Sequence, residues 1–150
     1  MYGDQAGANN LTGQINNQIA GFYTSLFKRT SSLNGPPKVD AQVFAVALAV
    51  YVTNQNLAGS AATAYGFQVT AGGVGTATFD VGTSNRTAFG LSPTDSTVMA
   101  VLDILLATDA RARNGLLYDL DGSGIISSFE RSLRVMANNV FTAINEQGDR

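Results

Sequence analysis

Three carboxylates lie close together between residues 119 and 130, which read DLDGSGIISSFE. Asp119 and Asp121 stand two residues apart, and Glu130 closes the segment. Between them lie two glycines and hydroxyl side chains that include Ser123 and Ser127. Calcium takes about six to eight oxygen ligands, and a glycine turn lets a short loop bring them together. The segment therefore predicts either a calcium loop or a polar turn that starts a helix.

The spacing matches a twelve-residue calcium loop at every ligand position. Such a loop supplies oxygens from positions 1, 3, 5, 7, 9 and 12, with glycine at position 6. Counting from Asp119 assigns these positions to Asp119, Asp121, Ser123, Ile125 (through its backbone carbonyl), Ser127 and Glu130. Gly124 falls at position 6. The S-x-x-E pattern of Ser127 and Glu130 is also a capping box, so one glutamate would bind the ion and begin a helix.

The segment resembles an EF-hand loop and the similar calcium loop of dockerin modules. The resemblance covers the twelve residues and the exiting helix, and the closing glutamate is closer to the EF-hand version. It implies that the six residues bind Ca²⁺, and that Ile126 at position 8 pairs with a second loop. Gly115 predicts that an entering helix ends early, with residues 115–118 forming a short turn.

A second loop would have to come from residues 54–65, NQNLAGSAATAY. Asn stands at positions 1 and 3 and Gly59 at position 6, but the segment contains no carboxylate. It is either a degenerate, metal-free partner loop or an ordinary loop at the end of a helix.

Composition excludes several classes of function. The 150 residues are 45% hydrophobic, which suits one domain over residues 1–150, with residues 1–10 expected to be flexible. The chain contains no Cys and no His, so it lacks a thiol nucleophile and the commonest general base. A net charge of −2 argues against nucleic acid as a partner. The longest apolar run, residues 43–52, is too short to span a bilayer, so no membrane insertion is expected.

Periodicity predicts a mostly helical α+β fold with about four helices and a small antiparallel hairpin or meander in the middle. The helices are expected at residues 11–29, 40–53 (with Asp40 as N-cap), from 92 onward, and 127–145. The second helix, apolar nearly all round, is expected at the centre of the core. Strands are expected at 67–70, 76–81 and 87–89. The apolar stripe of the third helix is Val98, Val101, Leu102, Leu105 and Leu106. The buried face of the fourth is Phe129, Leu133, Met136, Val140, Phe141 and Ile144.

The chain as a whole resembles terminal modules of very large exported bacterial surface proteins. That resemblance implies a non-catalytic, calcium-stabilised structural or interaction module, located outside the cell or at its surface. Its expected partners are the calcium ion, other domains of a parent protein, or another surface protein. The alternative is a dockerin-like module whose calcium-ordered helix docks onto a partner protein. An enzyme is disfavoured, because no acid/base constellation is present.

Overall fold

Helices supply most of the regular structure in the computed structural model, which describes residues 10–148. They are α1 (Asn16–Phe27), α2 (Val39–Thr53), α3 (Gln55–Ala58), α4 (Val101–Asp109) and α5 (Ser128–Gly148). The strands are β1 (Thr78–Asp80), β2 (Val98–Ala100), β3 (Ala112–Arg113) and β4 (Leu116–Leu117). They form two antiparallel pairs, β1 with β2 and β3 with β4. The mostly helical α+β class is thus confirmed. The flexibility predicted for residues 1–10 lies, except for residue 10, outside the described residues.

Helix α2 lies in the main core and packs chiefly against α5. Its valines recur at three- and four-residue steps, which places them on one face. Val39, Val43, Val46 and Val50 are almost fully buried there, and each contributes about 1.5–3 kcal/mol by leaving water. The same core cluster includes Val101, Ile104, Leu117, Tyr118, Leu133, Ala137, Val140 and Phe141. The helix is not buried all round, however, since Tyr51 is 52% exposed.

Asp40 does not cap α2. Lys38 holds the N-cap position without a side-chain bond, and Asp40 lies inside the first turn. The Asp40 carboxylate is instead paired with two arginines: its Oδ2 lies 2.6 Å from Arg29 and its Oδ1 lies 3.3 Å from Arg134. These ion pairs connect the end of α1, the start of α2 and the middle of α5.

Helix α1 packs on the other side of α2 and forms a smaller core with it. Leu26, Ala41 and Phe44 are buried in this cluster, and the Phe22 and Phe44 rings meet edge to face at 5.3 Å. The helix is shorter than predicted at both ends.

The region between α3 and α4 holds fewer strands than predicted. Residues 78–80 form β1 inside the predicted 76–81 segment. Residues 67–70 form no strand, because Thr70 bonds to the end of α2 instead: its N–H donates to Thr53 O at 3.0 Å. Residues 87–89 belong to a 3₁₀ turn, Arg86–Phe89, which buries Phe89 in the main core.

The helix predicted from residue 92 begins only at Val101. Asp95 closes a turn rather than a helix start, since its Oδ2 accepts the Ser92 N–H at 2.6 Å. Residues 98–100 then pair with β1 as strand β2. The predicted apolar stripe is therefore wrong in part: Val101 is buried, but Val98, Leu102 and Leu106 are exposed.

Most of the predicted face of helix α5 packs against the core, where Met136 and Ile144 are partly buried. Leu133, Val140 and Phe141 are buried, but Phe129 is 56% exposed. Each residue turns the helix by about 100°, which leaves Phe129 at the border of the buried face while Glu130 points inward. None of the helices in the described part is both long and apolar enough to cross a membrane.

Candidate metal centre

A β-hairpin, rather than a helix, leads into the acidic loop. Helix α4 ends at Asp109, and β3 pairs with β4 across a two-residue turn. Asn114 and Gly115 in that turn have φ of 50° and 78°, the left-handed conformation that tight hairpin turns need. The predicted early end of the entering helix is confirmed, but the hairpin was missed. The Asn-Gly pair, which is followed by two leucines, was the signal for it.

Tyr118 anchors the start of the loop in the core. Its side chain is fully buried, and its hydroxyl lies 3.4 Å from Thr108 Oγ1 on α4. Burial raises the pKa of Tyr118 to about 12. Its φ of 61° is unusual for a bulky residue and turns the chain sharply just before Asp119.

Two glycines shape the loop that follows. Gly122 and Gly124 have φ of 74° and 75°, where any side chain would be strained. The turn directs the Gly124 N–H to Asp119 Oδ2 at 3.0 Å, and the Ser123 N–H to Asp121 Oδ1 at 2.9 Å. The loop therefore folds back over its own first carboxylate.

Glu130 joins the beginning of the loop to the beginning of α5. Its Oε2 accepts the Ser127 N–H at 2.8 Å, and the Glu130 N–H donates to Ser127 Oγ at 3.3 Å. This confirms the predicted capping box. Its Oε1 accepts the Leu120 N–H at 2.7 Å, a contact the sequence did not predict. Bonds from the Ser127 backbone, the Ser127 hydroxyl and the Leu120 backbone lower the pKa of Glu130, although burial opposes them.

The three predicted carboxylates converge. Asp119, Asp121 and Glu130 each place one carboxylate oxygen within 4.8 Å of the others. Asp119 and Glu130 are buried, whereas Asp121 is exposed. The Ser123 backbone N–H, followed by its hydroxyl, lowers the pKa of Asp121, and proximity to Asp121 acts in the opposite direction on Glu130. Three negative charges are thus gathered at one point.

The surroundings of the Asp119 carboxylate indicate whether a cation fits between the three carboxylates. Its side chain is fully buried, and Oδ2 accepts the bond from Gly124. The other oxygen, Oδ1, is buried and has no hydrogen-bond partner among the described residues. A buried, unpaired carboxylate oxygen beside two further carboxylates is unfavourable without a positive partner. A hard divalent cation would satisfy it, because such ions prefer carboxylate oxygens.

The remaining predicted ligands lie in the same loop but are bonded locally. Ser123 Oγ accepts the Ile125 N–H and donates to the Ile125 carbonyl, both at 3.2 Å. Ser127 Oγ serves the capping box. Each hydroxyl or carbonyl oxygen keeps a further lone pair for a cation. The structure brings together the three carboxylates, whereas for Ser123, Ile125 and Ser127 it shows only these contacts within the loop and helix start.

Residues 54–65 are mostly helical. Asn54 caps α3, since its Oδ1 accepts the backbone N–H groups of Asn56 and Leu57 at 2.9 and 3.2 Å. A 3₁₀ turn, Ala61–Tyr65, follows. The side chain that stands at the first ligand position is thus used as a helix cap.

Comparison with protein-family models, curated proteins and solved structures finds no match for this chain.

Proposed function

We propose that the chain is a calcium-binding, non-catalytic structural or interaction module of a larger secreted or cell-surface protein. The observation that carries the proposal is the convergence of three carboxylates around a buried Asp119 oxygen without a hydrogen-bond partner. The calcium ion would supply the positive charge that this cluster needs.

The loop offers the number and type of ligands that calcium prefers. Asp119, Asp121 and Glu130 contribute carboxylates, Ser123 and Ser127 contribute hydroxyl oxygens, and Ile125 contributes its carbonyl. Serines at positions where aspartates would add charge imply modest affinity, about 10⁻⁵ to 10⁻³ M. Magnesium should substitute poorly, because it demands a near-octahedral shell and resists dehydration.

Calcium would act on the fold through Glu130. Its carboxylate already holds the N–H groups of Leu120 and Ser127, one at each end of the loop. An ion bound to the same carboxylate would fix the loop against the first turn of α5. Leu133 in the next turn lies in the main core, so the order of the loop would be transmitted to the packing of α5.

The docking alternative is favoured by two exposed apolar side chains. Ile125 is 75% exposed and Phe129 is 56% exposed, on the loop and the first turn of α5. A partner protein could cover them once calcium has ordered the loop. If so, Phe129→Ala should abolish capture of a protein partner in calcium without changing the calcium affinity. Equal capture of the partner by the wild type and by Phe129→Ala would rule this docking mode out.

Two parts of the proposal rest on composition and resemblance. The absence of Cys and His supports a non-catalytic role. An export role follows the resemblance to surface-protein modules, and labelling of intact cells with an antibody tests it. Detection of the protein only after cell lysis would contradict that location.

Calorimetric titration of chelator-stripped protein with Ca²⁺ and Mg²⁺ is the direct test of binding. Glu130→Gln should remove most of the calcium heat, and Ser123→Ala should weaken it only partly. Asp103→Asn is the matched control, since Asp103 is an exposed carboxylate on α4. Absence of saturable calcium binding, with no ion retained from purification, would mean that the loop is a capped turn.

A further inference from the structure

Basic side chains gather around the loop that joins α1 to α2. Three of them line a cavity of about 460 Å³: Lys28, Arg29 and Arg134. Lys38 and Arg131 lie beside the same loop, since they donate to the backbone carbonyls of Phe27 and Leu33. These five residues are more than half of the nine Lys and Arg in a chain of net charge −2. The cavity, called here the basic α1–α2 pocket, is a local concentration of positive charge.

Arg134 has a donor without an acceptor. The residue is 3% exposed, and its Nη1 donates to Leu117 O at 2.7 Å. Its Nη2 lies 3.3 and 3.4 Å from the two Asp40 oxygens, which are long contacts for a charged pair. Its Nε is buried and has no partner among the described residues. A buried guanidinium with incomplete bonding points to an acceptor that residues 10–148 do not supply.

The rest of the lining fits an oxyanion. Asp40 is the one carboxylate among the described lining residues, and it is shared between Arg29 and Arg134. Thr30 and Ser31 add hydroxyl donors. Guanidinium and ammonium groups with hydroxyl donors are typical ligands of phosphate and sulfate. The volume falls within the range of small-molecule sites, about 300–1,000 Å³, so the anionic group can belong to a larger ligand.

We propose that the basic α1–α2 pocket binds a ligand that carries a phosphate or sulfate group. Arg29 and Lys28 supply the accessible charge, Thr30 and Ser31 donate through their hydroxyls, and Arg134 adds a buried charge to the lining. Asp40 holds the two arginines in place and limits the affinity by its own negative charge. The lining of this pocket includes none of the six proposed calcium ligands.

Titration with inorganic phosphate and with inorganic sulfate, in chelator and at constant ionic strength in chloride, tests the proposal. Saturable binding should shift the backbone amide resonances of residues 28–35. A response to only one of the two ions would identify whether the pocket selects phosphate or sulfate. A response to both would show that it recognises the oxyanion chemistry that they share. No saturable shift in that segment with either ion would overturn the proposal.

Charge variants distinguish a site from general ionic attraction. Lys28→Gln and Arg29→Gln change exposed side chains, and each should weaken binding about three- to fivefold. Arg113→Gln, which removes one exposed charge on β3, should leave the affinity unchanged. Asp40→Asn should strengthen binding, an effect that a purely structural role for Asp40 does not produce. Equal weakening by all three basic substitutions would show that the ions respond only to net charge.

Discussion

Replacement of Asp119 by asparagine should stabilise the protein in the absence of calcium and remove most of the stability that calcium adds. The side chain is fully buried within a cluster of three carboxylates, and its Oδ1 finds no hydrogen-bond partner in the part of the chain that the structure describes. Asparagine has the same shape, and its oxygen can still accept the Gly124 N–H. The NH₂ group of the asparagine takes the position of Oδ1, beside the carboxylates of Asp121 and Glu130. The substitution therefore replaces one of three converging carboxylates by an uncharged amide.

The change in stability in chelator and the change in calcium have different physical causes and different sizes. An unsatisfied buried acceptor costs about 1–3 kcal/mol, so in chelator the variant should gain stability of this order. For a domain of this size the gain corresponds to a rise in Tm of about 2–10 °C. In calcium at 100 times its Kd, the wild type should gain about 2.7 kcal/mol, or about 5–10 °C. The variant should lose most of that calcium-dependent rise.

Thermal melts of wild type, Asp119→Asn and the control Asp103→Asn, each in excess calcium and in chelator, measure both effects. The expected pattern is that Asp119→Asn melts above the wild type in chelator and that its midpoint rises much less than that of the wild type when calcium is added. Asp103→Asn should follow the wild type in both buffers. If Asp119→Asn is less stable than the wild type in chelator, the unpaired Oδ1 does not destabilise the folded protein, and this reasoning is refuted. Equal wild-type midpoints in both buffers would refute calcium linkage.

Three further predictions concern packing and titration. Phe141→Ala should cost about 3–5 kcal/mol because the ring is fully buried, whereas Phe129→Ala should stay within about 0.5 kcal/mol; similar losses in urea unfolding would contradict the assigned burial. Tyr118, whose pKa is raised to about 12, should stabilise the fold fully below pH 10 and lose a contribution of about 3 kcal/mol as the pH rises through 12. Tyr118→Phe should therefore lose less stability than wild type between pH 9 and 12, and an equal loss would count against the buried phenol. Asp121 and Glu130, whose pKa values are lowered, should contribute stability that is present above pH 4.5 and lost as the pH falls below it. In chelator, acid unfolding of Glu130→Gln should then be less steep than that of the wild type, and identical curves would argue against a role for this carboxylate.

The parts of the fold that sequence patterns predicted are those decided by local chemistry. The apolar period of α5 and the Ser127–Glu130 capping box lie in neighbouring residues, and both are present as expected. Gly124 adopts the positive φ that the loop pattern required. The convergence of Asp119, Asp121 and Glu130 follows from the same twelve residues, because the glycine turn and the helix start lie between the carboxylates.

The parts that were missed depend on partners distant in the chain. Ser92 and Asp95 have the composition of a helix start, but β2 pairs with β1 and delays α4 until Val101. Asp40 would be a good N-cap, yet Arg29 and Arg134 hold its carboxylate. In each case a tertiary contact outweighs a local preference, which is worth only about 1 kcal/mol.

The position of Arg134 connects the two proposed sites physically. It lies one helical turn after Glu130 on α5, and its Nη1 holds the carbonyl of Leu117, two residues before Asp119. Strand β4, which leads to the first proposed calcium ligand, is therefore fixed by the same guanidinium that lines the basic α1–α2 pocket. Glu130 accepts the N–H of Leu120, and Arg134 donates to the carbonyl of Leu117, so the two side chains hold the two ends of residues 117–120. Helix α5 therefore supports both proposed sites. That arrangement explains why two charged residues are buried on the largely apolar inner face of this helix.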